Sequence, residues 1–436
     1  MLPRIVFCLN LVVLLLSPPT AAAESEFPFP AGQIVSNGQV QKLREWLPEA
    51  FWAHRQYFFH DGMALEIGPI QRDYAPPSVY REATQRFRGT ARISSQGALE
   101  GYRAGQPFPA EAIDCSGDPQ AGVEYIWNFM HRWQGFGVRA SFRYNYFDRG
   151  ELLPLMYAGS TSAWLLKYRP EPQFAENSGD VFPREERVAV VGFEVEEPKT
   201  ARGTRTLTYR YVDSLGPPET ARPEDTWIYS SEIRRVRKIS QTQRSSAVGG
   251  TDFSFDDLFS FSGLPPQYHW RCIGERRVIA PMNTKQLGYP YAEKVDFGPS
   301  GFSFASDRWE LRDAVVLEMK AKDPKHPYQR KELWLDRQTL EPLYSFAYDR
   351  SGALWKIIYH NHRWSEDDLG EIKAREWYAG WEGVPEPRDL RVVADVVVNV
   401  QTGTGNRLDF WDSHGTPPKL SQLRRYVDVQ RLRHGR

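Results

Sequence analysis

Apolar and polar positions alternate with a period of two along much of the chain, which predicts strands. In 140–148 (ASFRYNYFD), Phe142, Tyr144 and Tyr146 stand against Ser141, Arg143, Asn145 and Phe147. Residues 163–168, 188–194, 204–212 and 309–321 are further strand candidates. A meander follows, with KELWLD, LEPLYSFAYD and ALWKIIYHNHRW joined by turns, the second at Arg350-Ser351-Gly352. Tyr344, Phe346 and Tyr348 are predicted on one face of its middle strand. Trp355, Ile357 and Tyr359 are predicted on one face of the next, where cross-strand aromatic pairs fix register. Residues 391–400 (RVVADVVVNV) are the most β-branched run and predict a central strand.

Helical spacing occurs mainly near the start. In 40–59, Leu43, Trp46, Leu47, Ala50, Phe51 and His54 recur at three and four residues, with Asn37 as the predicted cap. Pro48 kinks or splits that helix. Residues 62–90 read as irregular. In 120–133, Val123, Ile126, Trp127 and Met130 line one stripe of a second helix. The prolines and polar residues of 171–186 predict a loop, and the basic tail from Lys419 a solvated end.

The stretch 227–282 organises the rest. WIYSSEIRRVRKI is predicted as one strand, with Arg234, Arg235 and Arg237 spread over both sides, which suits an edge. A Gly-Gly break leads into Phe253, Phe255, Phe259 and Phe261, interleaved with Asp252, Asp256 and Asp257. Four phenylalanines in nine residues need apolar cover, so this insert is predicted to plug a neighbouring sheet.

Composition narrows the class. The 436 residues carry 55 basic and 55 acidic side chains, and this balance points to neither nucleic acid nor an acidic partner. The 14 Trp, 21 Tyr, 24 Phe, 32 Pro and 33 Gly favour strands and turns. Arg4, the apolar run 5–16 and Ala21-Ala22-Ala23 predict a signal peptide over 1–23, cleaved near Ala23, and hence export to the periplasm. Residues 24–436 are then one β-rich domain with a helical N-terminal part at about 40–135. Cys115 and Cys272 are either one disulfide or two separate buried thiols.

Motifs for known chemistries are scarce. There is no G-x-S-x-G nucleophile elbow, phosphate loop, dinucleotide fingerprint or H-E-x-x-H. His360 and His362 share a strand side, a spacing metal sites use, but without a third ligand a polar sheet face is the simpler reading. Asp252, Asp256 and Asp257 lack the glycine and closing glutamate of a calcium loop and are read as solvated acids. No cofactor and no metal are expected.

In order, LREWLPEAFW, YRAGQPFP, the WN of YIWNFMHRW, WIYSSEIRRVRKI, GGTDFSFDDLFSFSG and WLDRQTLEPLYSFAYDRSGALWK resemble the exported bacterial family DUF1329. That family is related in fold to the LolA and LolB lipoprotein-sorting proteins. The resemblance spans nearly all of the chain after residue 23. It implies a mainly β (α+β) fold, in which helices and loops plug the concave face of a large curved antiparallel sheet, an unclosed barrel. It also implies an apolar groove and, because members are often encoded beside exporters, hydrophobic cargo at the envelope. No lipobox cysteine follows the signal, so a LolB-like anchor is not carried over.

The expected function is therefore a periplasmic carrier or chaperone, without catalysis, for a hydrophobic or acylated ligand. Its expected binding residues are Phe253, Phe255, Phe259, Phe261, Tyr344, Phe346, Tyr348, Trp355 and Tyr359. Arg234, Arg235 and Arg237 form a solvated edge or meet an anionic headgroup. An inner-membrane exporter or an outer-membrane protein is the candidate partner. The alternatives are an envelope hydrolase acting on an ester or glycan, and a module docking to an exporter through its sheet edge.

Overall fold

The computed structural model describes residues 26–152, 157–217, 219–239, 244–285, 296–366, 368–369, 372–373, 388–414 and 419–434. The predicted signal peptide lies outside them. Short elements come first: β1 (Ile34–Val35), β2 (Leu65–Ile67), β3 (Arg92–Ile93) and β4 (Leu99–Glu100), with α1 (Glu49–Ala53), α2 (Ser78–Arg86) and α3 (Ala121–Met130). Next come β5 (Gly137–Asp148), β6 (Glu151–Leu152), β7 (Tyr157–Leu165), β8 (Arg187–Glu197) and β9 (Arg205–Tyr211). The hairpin β10 (Asp225–Ser230) and β11 (Arg235–Ile239) precedes the insert, and β12 (Tyr268–Pro281) follows it. The rest is β13 (Arg308–Ala321), β14 (Arg330–Asp336), β15 (Pro342–Tyr348), β16 (Leu354–Trp364), β17 (Asp368–Leu369), β18 (Ile372–Lys373), β19 (Leu390–Asn399), β20 (Thr404–His414) and α4 (Leu420–Tyr426).

Among the described residues, sixteen strands form one sheet that does not close on itself. From β13 it runs β14, β15, β16, β19, β20, β5, β7, β8, β9, β10, β11, with β12 on the other side of β13. All pairs are antiparallel except the short β2–β13 contact. Residues 391–400 do fall in an interior strand, β19, between β16 and β20. β11 is a terminal strand, and its residues are exposed.

Strand alternation sends each face into a different core. Tyr344, Phe346, Ile357, Tyr359, Val396 and Val398 join a cluster with Phe51 and Phe58 from the N-terminal segment. The intervening Ile358 and Val397 face the other way, with Ala140, Phe142, Tyr144, Leu408, Phe410 and Phe253. α3 packs on β12 and β13 through Tyr125, Ile126, Trp127 and Phe129, in a cluster that includes Phe261. Cys115 and Cys272 are joined, with Cα atoms 5.2 Å apart and a sequence separation of 157, so a disulfide ties the loop before α3 to β12.

Several expectations are corrected. The 40–59 helix is cut at Pro48 into a 3-10 helix, Asn37–Trp46, and α1. Its cap is Ser36, whose capping box uses Gln39, while Asn37 bonds Asp61. Residues 62–90 contain β2 and α2. WIYSSEIRRVRKI is a hairpin, because Arg234 takes a left-handed conformation (φ 52°) in the turn. Trp355 leaves the face of Ile357 and Tyr359: a bulge opposite Ala347/Tyr348 skips it, and it packs beside Tyr328 instead. The basic tail forms α4 and a 3-10 helix that bury Leu423, Val427 and Leu432 against Trp164, Leu207 and Tyr209. β12 and β20 are not among the expected strands, although Tyr268, Trp270 and Cys272 alternate with His269 and Arg271; a bulge between Cys272 and Gly274 then breaks the alternation of β12.

Candidate functional site

The insert occupies the sheet as expected, and it is held there by more than its phenylalanines. Phe253 and Phe261 are buried, Phe259 is half-buried, and Phe255 is 39% exposed. Phe253 meets Tyr144 edge-on at 5.6 Å, Phe255 lies 6.2 Å from Phe193, and Phe259 lies 6.0 Å from Phe410. Phe261 packs edge-on against Tyr268 and Trp270. Tyr344, Phe346 and Tyr359 sit on the opposite face under Phe51 and Phe58, with Tyr348 at their margin. The nine rings expected to line one groove are therefore divided between the two faces, and the insert meets none of this ladder directly.

Asp256 and Asp257 are buried, and Asp252 is half-buried. Asp257 is fully buried and accepts from Lys331 Nζ (2.8 Å), Lys356 Nζ (3.1 Å), Tyr328 OH (2.7 Å) and Ser254 Oγ (2.8 Å). Burial alone would raise its pKa, but the two ammonium groups outweigh that and hold it well below the usual carboxylate range. Asp256 pairs with Arg244 at 3.0 Å, and Arg244 also reaches Glu224 at 2.8 Å. Asp252, at the rim, accepts from Asn399 Nδ2 at 2.7 Å and from Thr404, and its N–H donates to Asn406 Oδ1 at 3.1 Å. Each ion here has a counter-charge or several donors, as buried charges require.

A third constellation lies beside the second. At Leu258 the chain leaves helical geometry, and Phe259 (φ 51°) and Ser260 (φ 65°) are successive left-handed residues. Such conformations cost a non-glycine residue about 1–2 kcal/mol each and persist only where the surroundings impose them. Ser260 Oγ thereby comes to 2.7 Å from His360 Nε2. His360 Nδ1 lies 2.9 Å from Asp395 Oδ1, at an angle outside hydrogen-bond geometry, so the two are close neighbours without a formed hydrogen bond. Asp395 Oδ2 accepts the Phe259 N–H at 3.0 Å. All three side chains are fully buried.

Register explains how the sheet assembles this row. His360 pairs with Asp395, Asp395 with Leu408, and Leu408 with Tyr144, across β16, β19, β20 and β5. The next row on the same face is Ile358 opposite Val397, one pleat away, at about 7 Å. A buried serine, imidazole and carboxylate thus end an apolar track that starts under Phe253.

His360 and His362 do share a side, with rings 6.3 Å apart. His362 Nδ1 lies 3.2 Å from the Pro281 carbonyl, and burial lowers its pKa to about 3. Among the described residues, no three His, Cys, Asp or Glu side chains gather as a metal site. Arg235 and Arg237 are exposed on β11, and Arg234 is exposed in the turn before it, all away from the insert's apolar bed. Near His360, Arg132 pairs with buried Glu341 at 2.7 Å on the wall of a cleft that also includes Tyr74, Trp364 and Asp389. Its free space is about 20 Å³, room for about one water.

Sequence reasoning passed over Ser260, Asp395, Lys331, Lys356 and Tyr328. A signal existed for three of them. Lys331 shares strand parity with Leu333 and Leu335, Lys356 with Ile358, and Asp395 interrupts the most β-branched run. Charges at inward-facing positions mark buried polar networks.

The family model described as protein of unknown function (DUF1329) matches residues 35–416. An uncharacterized protein of Pseudomonas aeruginosa is 25% identical over 310 residues, covering 69% of this chain and 62% of that relative, so the match spans less than two thirds of the relative's length. A Vibrio parahaemolyticus domain named for outer-membrane lipoprotein sorting has 18% identity and a TM-score of 0.46, covering 73% of this chain and 100% of that one. A DUF1329 family protein of Desulfovibrio piger has 18% identity and a TM-score of 0.45, covering 72% and 99%.

Proposed function

Because the chain belongs to the family of proteins of unknown function DUF1329, we propose its role from the geometry alone: it is an envelope carrier for a ligand with a long acyl chain. The chain binds where Phe253 now sits, over Tyr144, Leu408, Phe142 and Phe410. The observation that carries this reading is the asymmetry of the insert. Its second half, Asp256–Ser262, is fixed by buried ions, whereas Thr251–Phe255 ends in an exposed phenylalanine and is tied through Asp252 at the rim. Displacing the first half breaks the Ser254–Asp257 and Thr251–Tyr144 hydrogen bonds but leaves both ammonium groups and Tyr328 on Asp257. Export follows from the predicted signal peptide, and among the described residues no helix is long and apolar enough to cross a membrane.

Magnitudes set a threshold. Displacing Phe253 forfeits about 2–3 kcal/mol of burial, and exchanging the Asp252, Ser254 and Thr251 contacts for water costs about 5 kcal/mol more. An acyl chain gains about 0.8 kcal/mol per buried methylene. About ten methylenes offset the displacement, and longer chains bind.

The test is titration with dansyl-undecanoic acid and mass spectrometry of protein extracted gently from the envelope. Saturable probe binding that strengthens in Phe253→Ala supports the carrier. Protein that emerges empty and fails to bind the probe overturns it.

A further inference from the structure

We propose that Ser260, His360 and Asp395 form an acyl-transfer site for a long-chain carboxylic ester. The placement of the acyl chain rests on the carrier reading; the chemistry does not. It departs from the expectation of a carrier without catalysis.

The geometry has the parts that nucleophilic catalysis needs: a hydroxyl within hydrogen-bond reach of a base, and a third group against the base's other nitrogen. The Asp395 carboxylate beside Nδ1 favours the tautomer with its proton there. Nε2 is then the acceptor for Ser260 Oγ–H. The off-axis Nδ1–Oδ1 contact is the kind that tightens when substrate binds. Ser260 on His360 and the Phe259 N–H on Asp395 add to the Asp257 anchor, but two hydrogen bonds would not by themselves justify two left-handed residues and a buried imidazole and carboxylate in an apolar face.

The track to the site has the right composition and length. Tyr144, Leu408, Asp395 and His360 are successive cross-strand partners, so His360 lies three strand spacings, about 14 Å, from Tyr144. An acyl tail in place of Phe253 points its ester toward Ser260, which the bolted half of the insert keeps beside His360.

In the reaction, Ser260 Oγ bonds to the ester carbonyl carbon as its proton passes to His360 Nε2. The carbon–oxygen bond to the alcohol then breaks, and the alcohol leaves with that proton. Water attacks the acyl-serine, giving a proton to Nε2. The acid departs, and Ser260 Oγ recovers the proton. Asp395 is a positioning residue that orients the ring and offsets its transient charge.

The experiment treats the full chain with a fluorophosphonate probe and follows hydrolysis of p-nitrophenyl laurate and butyrate. Wild type, Ser260→Ala, Asp395→Asn and Phe253→Ala are compared, with circular dichroism and dansyl-undecanoic acid binding as checks of fold and groove. Expected are phosphonylation mapped to Ser260 and a loss of laurate turnover of about 100-fold or more in folded Ser260→Ala. Asp395→Asn should lower kcat more than tenfold with KM little changed, a split that a scaffold role would not produce. A wild type that binds the fatty-acid probe but neither labels nor turns over esters overturns the triad and leaves the carrier standing. Equal turnover by folded Ser260→Ala also overturns it. Labelling and turnover without probe binding or preference for laurate support the triad and remove the carrier reading.

Discussion

The two faces of the sheet are covered by different chemistry. On the ladder face, Phe51 stacks on Phe58 at 4.0 Å and meets Tyr344 and Tyr359 edge-on at 5.1 and 5.4 Å. The phenols there bond to backbone carbonyls, Tyr344 to Ile279 and Tyr359 to Phe302. On the insert face the cover is fixed by a carboxylate between two ammonium groups and by a serine on an imidazole. Neutral, close-packed contacts make a permanent core. Ionic and titratable contacts fix position at a cost in desolvation, and they occur where a surface must also do something else. Aromatic content alone does not distinguish the two, since both faces are rich in rings.

The sharpest way to break this contrast is to cut one anchor on each face. Phe51→Ala should cost about 4 kcal/mol in urea unfolding while leaving the affinity of the remaining folded protein for dansyl-undecanoic acid unchanged. A large change in probe affinity would mean that the ladder, not the insert, borders the ligand.

Asp257→Asn strands Lys331 and Lys356 and should cost about 3–5 kcal/mol, whereas replacing all three with apolar residues should recover most of it. Its folded pKa is depressed, so its stabilisation is present above the ordinary value of 3.8 and lost as pH falls. The gap between wild type and Asp257→Asn should therefore narrow below about pH 4. A gap independent of pH would show that the bond geometry, not the charge, holds the insert.

The ladder side should respond to pH with the opposite sign. Glu310, hydrogen-bonded by Tyr74 at 2.7 Å, has its carboxyl pushed up to about 7, first by burial. Raised above 4.5, it contributes stability that is complete below that value and lost as pH rises through about 7. Glu310→Gln should then gain on the order of 3 kcal/mol over wild type at about pH 9 and almost nothing at about pH 4. Thermal melts across that range decide it.

The smallest effect belongs to the exposed edge. Replacing Arg235 and Arg237 by serine should change stability by less than about 0.5 kcal/mol. Loss of binding to anionic vesicles in that variant would nevertheless restore the headgroup role expected for this strand.

Much of the fold was legible because alternation is local. The meander, the interior position of 391–400 and the break at Pro48 follow from period, branching and a missing N–H. The register errors share one cause. The bulge that turns Trp355 away and the left-handed turn at Arg234 each insert a residue that period counting does not see. Asp252, Asp256 and Asp257 read as solvated because acids in a loop usually are, and partners such as Lys356 of Asp257 and Asn399 of Asp252 lie about 100–150 residues away.

Sequence by itself determined that this is a strand-rich chain whose phenylalanine-bearing insert must find cover, because pleat alternation and the aversion of aromatic rings to water act within a few residues. The tertiary structure alone decided which face that cover occupies, that Cys115 meets Cys272, and that Ser260, His360 and Asp395 converge. Those outcomes depend on strand order and register, which join residues as distant in sequence as Leu408 and Tyr144 and leave no mark in any single stretch of the chain.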